Sequence, residues 1–309
     1  CLFYQEKGYT MLRVKYIVAG LLMGALPALA EPTPSSEPAG GAEAFAPPPS
    51  GTLKANLRRL GLELSSTDVK NAREYQNSPV SQFNADSQTV IKGVFDGALE
   101  YDRYNLQWVN SLFMEYGKTK LKPADGENTT NENADQILLT TEYTHKLWAR
   151  KNIDFGPFAS VGYQTEFTDN QDAPRTKILR GKAGVKVFNG TVLKDLYVAG
   201  VYEYDMTYSD HVSKSAGEVG WRADYTLREG IQFTTDGYYR KYFSFSSYIP
   251  EDLKYDLKAT ARMDVNLTGN ITFGPYISYR RGQSRASDSS ASNTMIGVAL
   301  TYKDLFNIF

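Results

Sequence analysis

Apolar and polar residues alternate along several stretches of this chain. In residues 153–166, apolar side chains such as Val161 and Tyr163 are separated by polar or small ones. Residues 179–187 and 219–227 repeat the alternation, and their second face carries charged side chains. Strict alternation over about ten residues is typical of a β-strand with one apolar face and one wet face.

The repetition of this pattern predicts the fold. When one strand after another combines an apolar face with a charged face, the pattern favours a transmembrane β-barrel, with lipid outside and a polar lumen inside. We therefore predict an all-β fold, an antiparallel up-and-down transmembrane barrel of about twelve strands over residues 52–309, with ten or fourteen strands as alternatives. The predicted strands are residues 53–65, 90–101, 105–118, 135–148, 153–166, 177–188, 196–208, 215–227, 231–243, 253–267, 271–281 and 294–309.

The first predicted strand contains a change of phase. Ala55 and Leu57 are out of step with Leu60 and Leu62. An extra residue in one strand of a pair restores the alternation and is called a β-bulge. We expect such a bulge near Arg58–Arg59.

The connections between the predicted strands alternate in length. Short turns are predicted at 102–104, 149–152, 189–195, 228–230 and 268–270, and mostly longer polar loops at 66–89, 119–134, 168–176, 209–214, 244–252 and 282–293. In outer-membrane-type barrels the short turns face the periplasm and the longer loops face outwards. With an even number of strands, both termini are expected on the periplasmic side.

Aromatic residues cluster near the ends of the predicted strands. In membrane barrels such residues form girdles at the two interfaces with water, although aromatics also favour strands in general. The residues expected in the girdles are Tyr101, Tyr104, Trp108, Tyr143, Trp148, Tyr163, Tyr208, Tyr239, Tyr242, Tyr279 and Tyr302.

The N-terminal fifty residues are expected to lie outside the barrel. Residues 11–30 have a basic start, an apolar core and the cleavage pattern Ala28–Ala30, which predicts a signal peptide; a membrane anchor is the alternative. Residues 1–10 precede a credible start and are interpreted as an over-long gene start. Residues 31–51, rich in Pro, Ala, Ser and Gly, predict a flexible periplasmic tether. The single cysteine, Cys1, precedes the cleavage site, so no disulfide is expected.

Composition narrows the class of protein. Acidic and basic residues nearly balance, 35 against 34, which argues against a nucleic-acid partner. Mean hydropathy is −0.43, and beyond the N-terminus no apolar run is long enough for a transmembrane helix. A polytopic helical transporter is therefore excluded, whereas a barrel is compatible with this composition.

The C-terminal sequence carries a family resemblance. The chain ends in Leu305–Phe309, and the terminal Phe309 resembles the ending of Gram-negative outer-membrane barrels. Residues Gly297–Tyr302 resemble the glycine and apolar part of the same signal, although Met295 stands where a polar residue is usual and the alternation slips after Tyr302. The resemblance implies an integral outer-membrane location, contact with outer-membrane lipid and lipopolysaccharide, and recognition by the barrel-assembly machinery. The pattern also looks like outer-membrane families of unknown function.

Few residues suggest catalysis. His145 is interpreted as an interface residue, whereas His211 and Ser213 lie in a predicted outer loop. Some outer-membrane barrels are lipid hydrolases that use a His and a nearby Ser, and Asp210 or Glu218 could orient the imidazole. A chance His-x-Ser sequence is the alternative that we favour. With two histidines and one cysteine, neither a metal site nor a cofactor is expected.

Charged residues in the lumen phase are the main functional candidates. They either form a network that fills a narrow barrel or line a pore for small polar solutes, and both signs of charge predict weak ion selectivity. Surface adhesion through residues 119–134 is a third hypothesis. The lumen-lining candidates are Lys92, Glu115, Arg180, Lys182, Lys186, Glu203, Asp205, Arg222, Arg240, Arg262 and Arg280.

Overall fold

The computed structural model describes most of the predicted barrel. The described residues are 51–75, 78, 80–83, 88–121, 129–150, 153–168, 174–207 and 209–308. The predicted signal peptide, nearly all of the predicted tether, Tyr208 and Phe309 lie outside them. Within this part of the chain, no helix is long and apolar enough to cross a membrane.

Thirteen strands account for almost all of the described structure. They are β1 (Thr52–Lys70), β2 (Gln88–Arg103), β3 (Leu106–Leu121), β4 (Thr129–His145), β5 (Trp148–Arg150), β6 (Ile153–Thr165), β7 (Ile178–Phe188), β8 (Leu193–Asp205), β9 (Val212–Arg228), β10 (Ile231–Phe245), β11 (Leu253–Thr268), β12 (Ile271–Ser284) and β13 (Ala291–Asn307). Two short 3-10 helices, Ala72–Tyr75 and Ser81–Phe83, lie between β1 and β2.

The strands close into a single antiparallel barrel. Sequential strands are hydrogen-bonded neighbours, β1 pairs with β13, and β4 pairs with β6. The closed ring therefore has twelve strands, as the sequence predicts. The short strand β5 is extra: the predicted strand 135–148 is interrupted at Lys146–Leu147, and β5 then pairs with the beginning of β6.

The bulge in β1 is confirmed. The register of β1 shifts between Leu57 and Leu60 against β13, and between Leu57 and Arg59 against β2. Arg58 is the extra residue, and both arginine side chains reach acidic partners, Arg58 with Glu100 and Arg59 with Glu63. The bulge thus changes the phase of β1, and the two consecutive arginines both reach acidic partners. Leu57 before the bulge is buried, whereas Leu60 after it is exposed.

The two ends of the barrel differ. One end, called the turn end, has connections such as Tyr104–Asn105, Glu229–Gly230 and Gly269–Asn270, and both ends of the strand series lie there. Gly230 and Gly269 adopt positive φ angles of 76° and 51°, which glycine tolerates without strain. The opposite end, called the loop end, has the longer connections.

Strands at the loop end extend beyond their predicted limits. The predicted loop 66–89 begins as strand, since β1 continues to Lys70, and much of the predicted loop 119–134 is also strand. Backbone pairs such as Asp68↔Thr294 and Thr119↔Asn131 continue the ladders there. The sequence of these stretches is mostly polar, so it lacks the alternation by which the strands are predicted.

The outer face is apolar and the inner face is charged. Large apolar side chains exposed on the outside include Leu62, Ile91, Val161, Leu179, Val198, Val219, Tyr239, Phe273, Ile277, Ile296 and Leu300. On β12 this face runs from Ile271 to Tyr279, which corresponds to roughly 20 Å along the barrel axis at ~3.3 Å per residue and ~40° of strand tilt. An apolar band of this kind on a closed barrel is the reverse of the arrangement in a water-soluble protein.

Candidate functional site: the charged lumen

Most predicted lumen residues take part in ion pairs on the inner wall. The residues that do so are Lys92, Glu115, Arg180, Lys182, Lys186, Glu203, Asp205, Arg240, Arg262 and Arg280. Arg222 shares the lumen phase of β9 but forms no ion pair with a described residue. Acids and bases lie on adjacent strands, where directly opposed side chains are in reach of each other.

Arg240 is the centre of the densest network. Its Nε donates to Glu218 Oε2 at 2.5 Å, and its Nη1 donates to Glu203 Oε1 at 2.7 Å. Arg240 is 4% exposed and both glutamates are 2% exposed. A buried charge needs such partners because removal from water costs several kcal/mol per ion.

Four further donors complete the partners of these two carboxylates. Arg180 and Tyr242 donate to Glu203 at 2.5 and 3.0 Å, and Tyr197 and Lys182 donate to Glu218. Tyr242 therefore lies in the lumen, and its predicted place in an aromatic girdle is wrong. The seven side chains are called the Arg240 cluster: Arg180, Lys182, Tyr197, Glu203, Glu218, Arg240 and Tyr242.

Smaller ion-pair groups surround the Arg240 cluster. Lys92 lies between Glu63 and Glu115, with Nζ–O distances of 3.1 and 3.0 Å. Nearer the turn end, Lys186 pairs with Glu142 at 2.5 Å. The wall is thus cross-linked by charge at several depths.

Two more groups lie towards the loop end. Arg280 donates twice to Asp256, and Lys214 lies between Asp205 and Asp252, 3.0 and 2.6 Å away. Asp252 belongs to the connection before β11, where burial raises the pKa of its carboxyl although Lys214 opposes the shift. One oxygen of Asp252 is buried without a partner, which agrees with this direction.

Part of the first long connection folds into the loop end of the barrel. Phe83 is fully buried, packs edge-on against Tyr75 with ring centroids 5.9 Å apart, and lies 5.7 Å from the Arg280 guanidinium. Asn293 donates to the Gln82 carbonyl at 2.7 Å, and Tyr75 donates to the Ser289 carbonyl at 2.6 Å. The described residues of 71–83 are called the inserted segment.

The inserted segment was not predicted from the sequence. Residues 66–89 were expected to form a polar outer loop, although Tyr75, Val80 and Phe83 are apolar residues within it. Isolated apolar residues in a polar loop were the available signal. These apolar residues do not recur at a regular spacing, so they could not indicate where the loop would fold.

A cavity of about 430 Å³ lies in the lumen below the inserted segment. Gln82, Gln136 and Glu115 are among its lining residues, as are Asp236 and Lys258. Lys258, on β11, extends to 5.9 Å from the ring centroid of Phe113 on β3. These strands are far apart around the ring, so side chains of opposite walls approach one another at this depth.

The predicted hydrolase residues lie on the outer side of the loop end. His211 Nδ1 is 2.7 Å from the hydroxyl of Tyr204, and the Tyr202 hydroxyl donates to Ser213 Oγ at 2.9 Å. Within the described residues, no hydrogen bond joins His211 to Ser213. The arrangement resembles an interfacial girdle of tyrosines with polar partners. In the same part of the chain, no three His, Cys, Asp or Glu side chains are placed to hold a metal ion.

Comparisons with known proteins concern the fold. Residues 82–170 match a family model described as a protein of unknown function, DUF3078, which covers less than a third of the 309-residue chain. No curated protein sequence matches significantly.

Solved structures of similar shape include three barrels with low sequence identity. The translocator domain of the autotransporter NalP from Neisseria meningitidis has 11% identity and a TM-score of 0.38, covering 97% of this chain and 98% of that one. The COG4313 outer membrane channel from Pseudomonas putida F1 has 10% identity and a TM-score of 0.45, covering 87% and 100%. The outer membrane channel DcaP of Acinetobacter baumannii has 8% identity and a TM-score of 0.41, covering 82% and 97%.

Proposed function

We propose that this protein is an integral outer-membrane β-barrel of a Gram-negative cell and provides a narrow passage for small polar solutes. The observation that carries the proposal is the combination of an apolar outer face with a charged lumen that retains a cavity of about 430 Å³. An apolar band around the barrel would aggregate in water, whereas a closed barrel in lipid satisfies every backbone hydrogen bond.

The orientation follows from the connections. We propose that the turn end faces the periplasm and the loop end faces outwards, in keeping with the usual arrangement of short turns and longer loops. An epitope inserted after Asp288, at the loop end, is then expected to bind antibody on intact cells. The matched insertion after Glu229, at the turn end, is expected to bind only after the outer membrane is permeabilised. The reverse result would invert the orientation.

Single-channel recording tests the passage. The full chain, purified in detergent and incorporated into planar bilayers under a potassium chloride gradient, is expected to give small unitary currents with weak selectivity, because both signs of charge line the lumen. A barrel that is folded by circular dichroism and remains silent in the bilayer would refute the passage and favour a structural barrel.

Cysteine labelling identifies the path of the current. Cys1 is the chain's only cysteine, so a Cys1→Ser background makes a single new thiol addressable. A bulky thiol reagent is expected to reduce the current of Asp236→Cys, whose side chain enters the cavity. The matched variant Phe243→Cys, exposed on the outer face, is expected to keep its current. Equal effects on both variants would show that the current does not run through the lumen.

A further inference from the structure

We propose that the cavity binds a small zwitterionic solute, whose carboxylate pairs with Lys258 and whose ammonium group pairs with Asp236. The proposal rests on the proposed function, since it assumes that small polar solutes enter the lumen. It adds a class of ligand and the two side chains that select it.

Nearly all charged side chains around the cavity have partners within the protein. Apart from these two, each charged side chain that lines it makes a hydrogen bond or ion pair with protein: Glu115, Asp135, Glu166, Arg180, Lys182, Glu203, Asp205, Lys214, Arg240, Asp252, Asp256 and Arg280. Asp236 and Lys258 make neither with any described residue. The Lys258 ammonium is attracted by Glu115, but that carboxylate is ion-paired with Lys92. One anion and one cation in the cavity thus lack an ion pair of their own among the described residues.

The two charges without an ion pair lie near each other on adjacent strands. Asp236 on β10 is directly opposite Thr260 on β11, and Tyr238 is directly opposite Lys258. Asp236 and Lys258 are therefore diagonal neighbours on the lumen face, about 7–8 Å apart at the backbone. They do not pair with each other, so a molecule that carries both charges can lie between them.

Other groups lie beside both charges. The Lys258 ammonium lies 5.9 Å from the ring centroid of Phe113 on the opposite wall and is attracted by Glu115. Arg222 lies directly opposite Asp236 on β9, but it forms no ion pair with any described residue and does not line the cavity. The amides of Gln82, Gln136 and Gln164 add neutral hydrogen-bonding groups around the same space.

The two opposite charges select against ligands that carry only one charge. A simple anion beside Lys258 would also face the Asp236 carboxylate, and a simple cation beside Asp236 would face the Lys258 ammonium. Unfavourable contacts of this kind exclude the wrong ligand as effectively as favourable contacts retain the right one. A zwitterion satisfies both side chains and leaves the balance of the surrounding ion pairs unchanged.

Calorimetric titration of the detergent-solubilised full chain tests this proposal. The probes are glycine, 4-aminobutyrate and 6-aminohexanoate, which place the ammonium and carboxylate progressively further apart, with acetate and ethylammonium as single-charge references. We expect at least one zwitterion to bind at least about tenfold more tightly than either reference, and its affinity to fall about tenfold or more in Asp236→Asn and in Lys258→Gln. A tenfold change corresponds to about 1.4 kcal/mol.

Matched variants separate the site from general charge effects. Asp288→Asn and Lys241→Gln remove exposed charges outside the lumen and are expected to bind the zwitterion as the natural chain does. The exchange Asp236→Lys with Lys258→Asp is expected to restore part of the affinity, because the solute can bind in the opposite direction.

Three outcomes would overturn the proposal: absence of zwitterion binding, equally tight binding of acetate alone, or retention of affinity in both single variants. Binding in detergent requires no current across a bilayer. A barrel that binds the zwitterion but is silent in bilayers would therefore refute the passage alone, and a conducting barrel without binding would refute the zwitterion site alone.

Discussion

Two lumen positions on β10 have opposite environments. Arg240 is enclosed by the Arg240 cluster, whereas Asp236, four residues earlier on the same face, is exposed to the cavity. Arg240 lies opposite an acid on each side, Glu218 and Asp256. Asp236 lies opposite Arg222 and Thr260, and it forms no ion pair with Arg222. An opposite charge on the adjacent strand is therefore not sufficient for pairing, and one strand carries both a structural charge and an available one.

Removal of Arg240 is expected to cause the largest loss of stability. Arg240→Met leaves Glu203 and Glu218 without their shared partner, and loss of one member of a buried charge network costs about 3–5 kcal/mol of unfolding free energy. Urea unfolding in lipid vesicles, followed by tryptophan fluorescence, measures the change. The neighbouring Lys241→Met alters an exposed charge and is expected to shift stability by less than about 0.5 kcal/mol. Equal losses in the two variants would contradict the distinction.

Weakening the packing of the inserted segment should widen the cavity. Phe83→Ala removes a fully buried ring, at a cost of about 3 kcal/mol to the packing of the inserted segment. We expect a larger unitary conductance, because Gln82 and Val80 border the cavity from that segment. Phe243→Ala, on the exposed outer face, is the control and should leave the conductance unchanged. An unchanged conductance in Phe83→Ala would show that the inserted segment does not limit the passage.

Neutralising the free charges should change selectivity more than stability. Lys258→Gln and Asp236→Asn break no ion pair, so each should alter the unfolding free energy by less than about 1 kcal/mol. Reversal potentials in a salt gradient are expected to shift in opposite directions, towards cations for Lys258→Gln and towards anions for Asp236→Asn. Shifts in the same direction would mean that other groups control ion entry.

The smallest change in stability is expected for a substitution outside the lumen. His211→Ala removes an exposed ring that is hydrogen-bonded to Tyr204, so stability should change by about 0.5 kcal/mol or less. We also expect the lipid A and phospholipid profiles of cells, measured by mass spectrometry, to remain those of cells with the natural chain. A changed profile would instead favour the hydrolase hypothesis.

Much of the fold was predictable because lipid and lumen impose a period of two on the chain. That period located the strands, and its interruption located the bulge at Arg58–Arg59. It could not locate β1 beyond Ser65 or the beginning of β4, where the sequence is mostly polar. It also misassigned Tyr242, because a tyrosine near a strand end is compatible with either face.

The sequence predicts which charged residues face the lumen, but not which of them pair with each other. Inward-facing charges such as Lys92, Arg180 and Arg240 follow from the phase of their strands. Which of them pair depends on the register between strands, and a single sequence does not specify it. Asp236 and Lys258 could not be distinguished from their paired neighbours for this reason, and the inserted segment has no periodic pattern from which its position could be inferred.

The seam between β1 and β13 joins the two ends of the barrel sequence. It pairs Lys54 with Asn307 and Lys70 with Ser292, residues that are separated by most of the barrel sequence. Contacts between such distant residues form slowly, because a long loop must close before any pairing compensates for the lost chain entropy. Until the last strand arrives, β1 and β12 are long unpaired edges of the kind that promote aggregation. A chain that lacks β13 cannot close the ring, so the free edges of β1 and β12 are covered only once the last strand is in place.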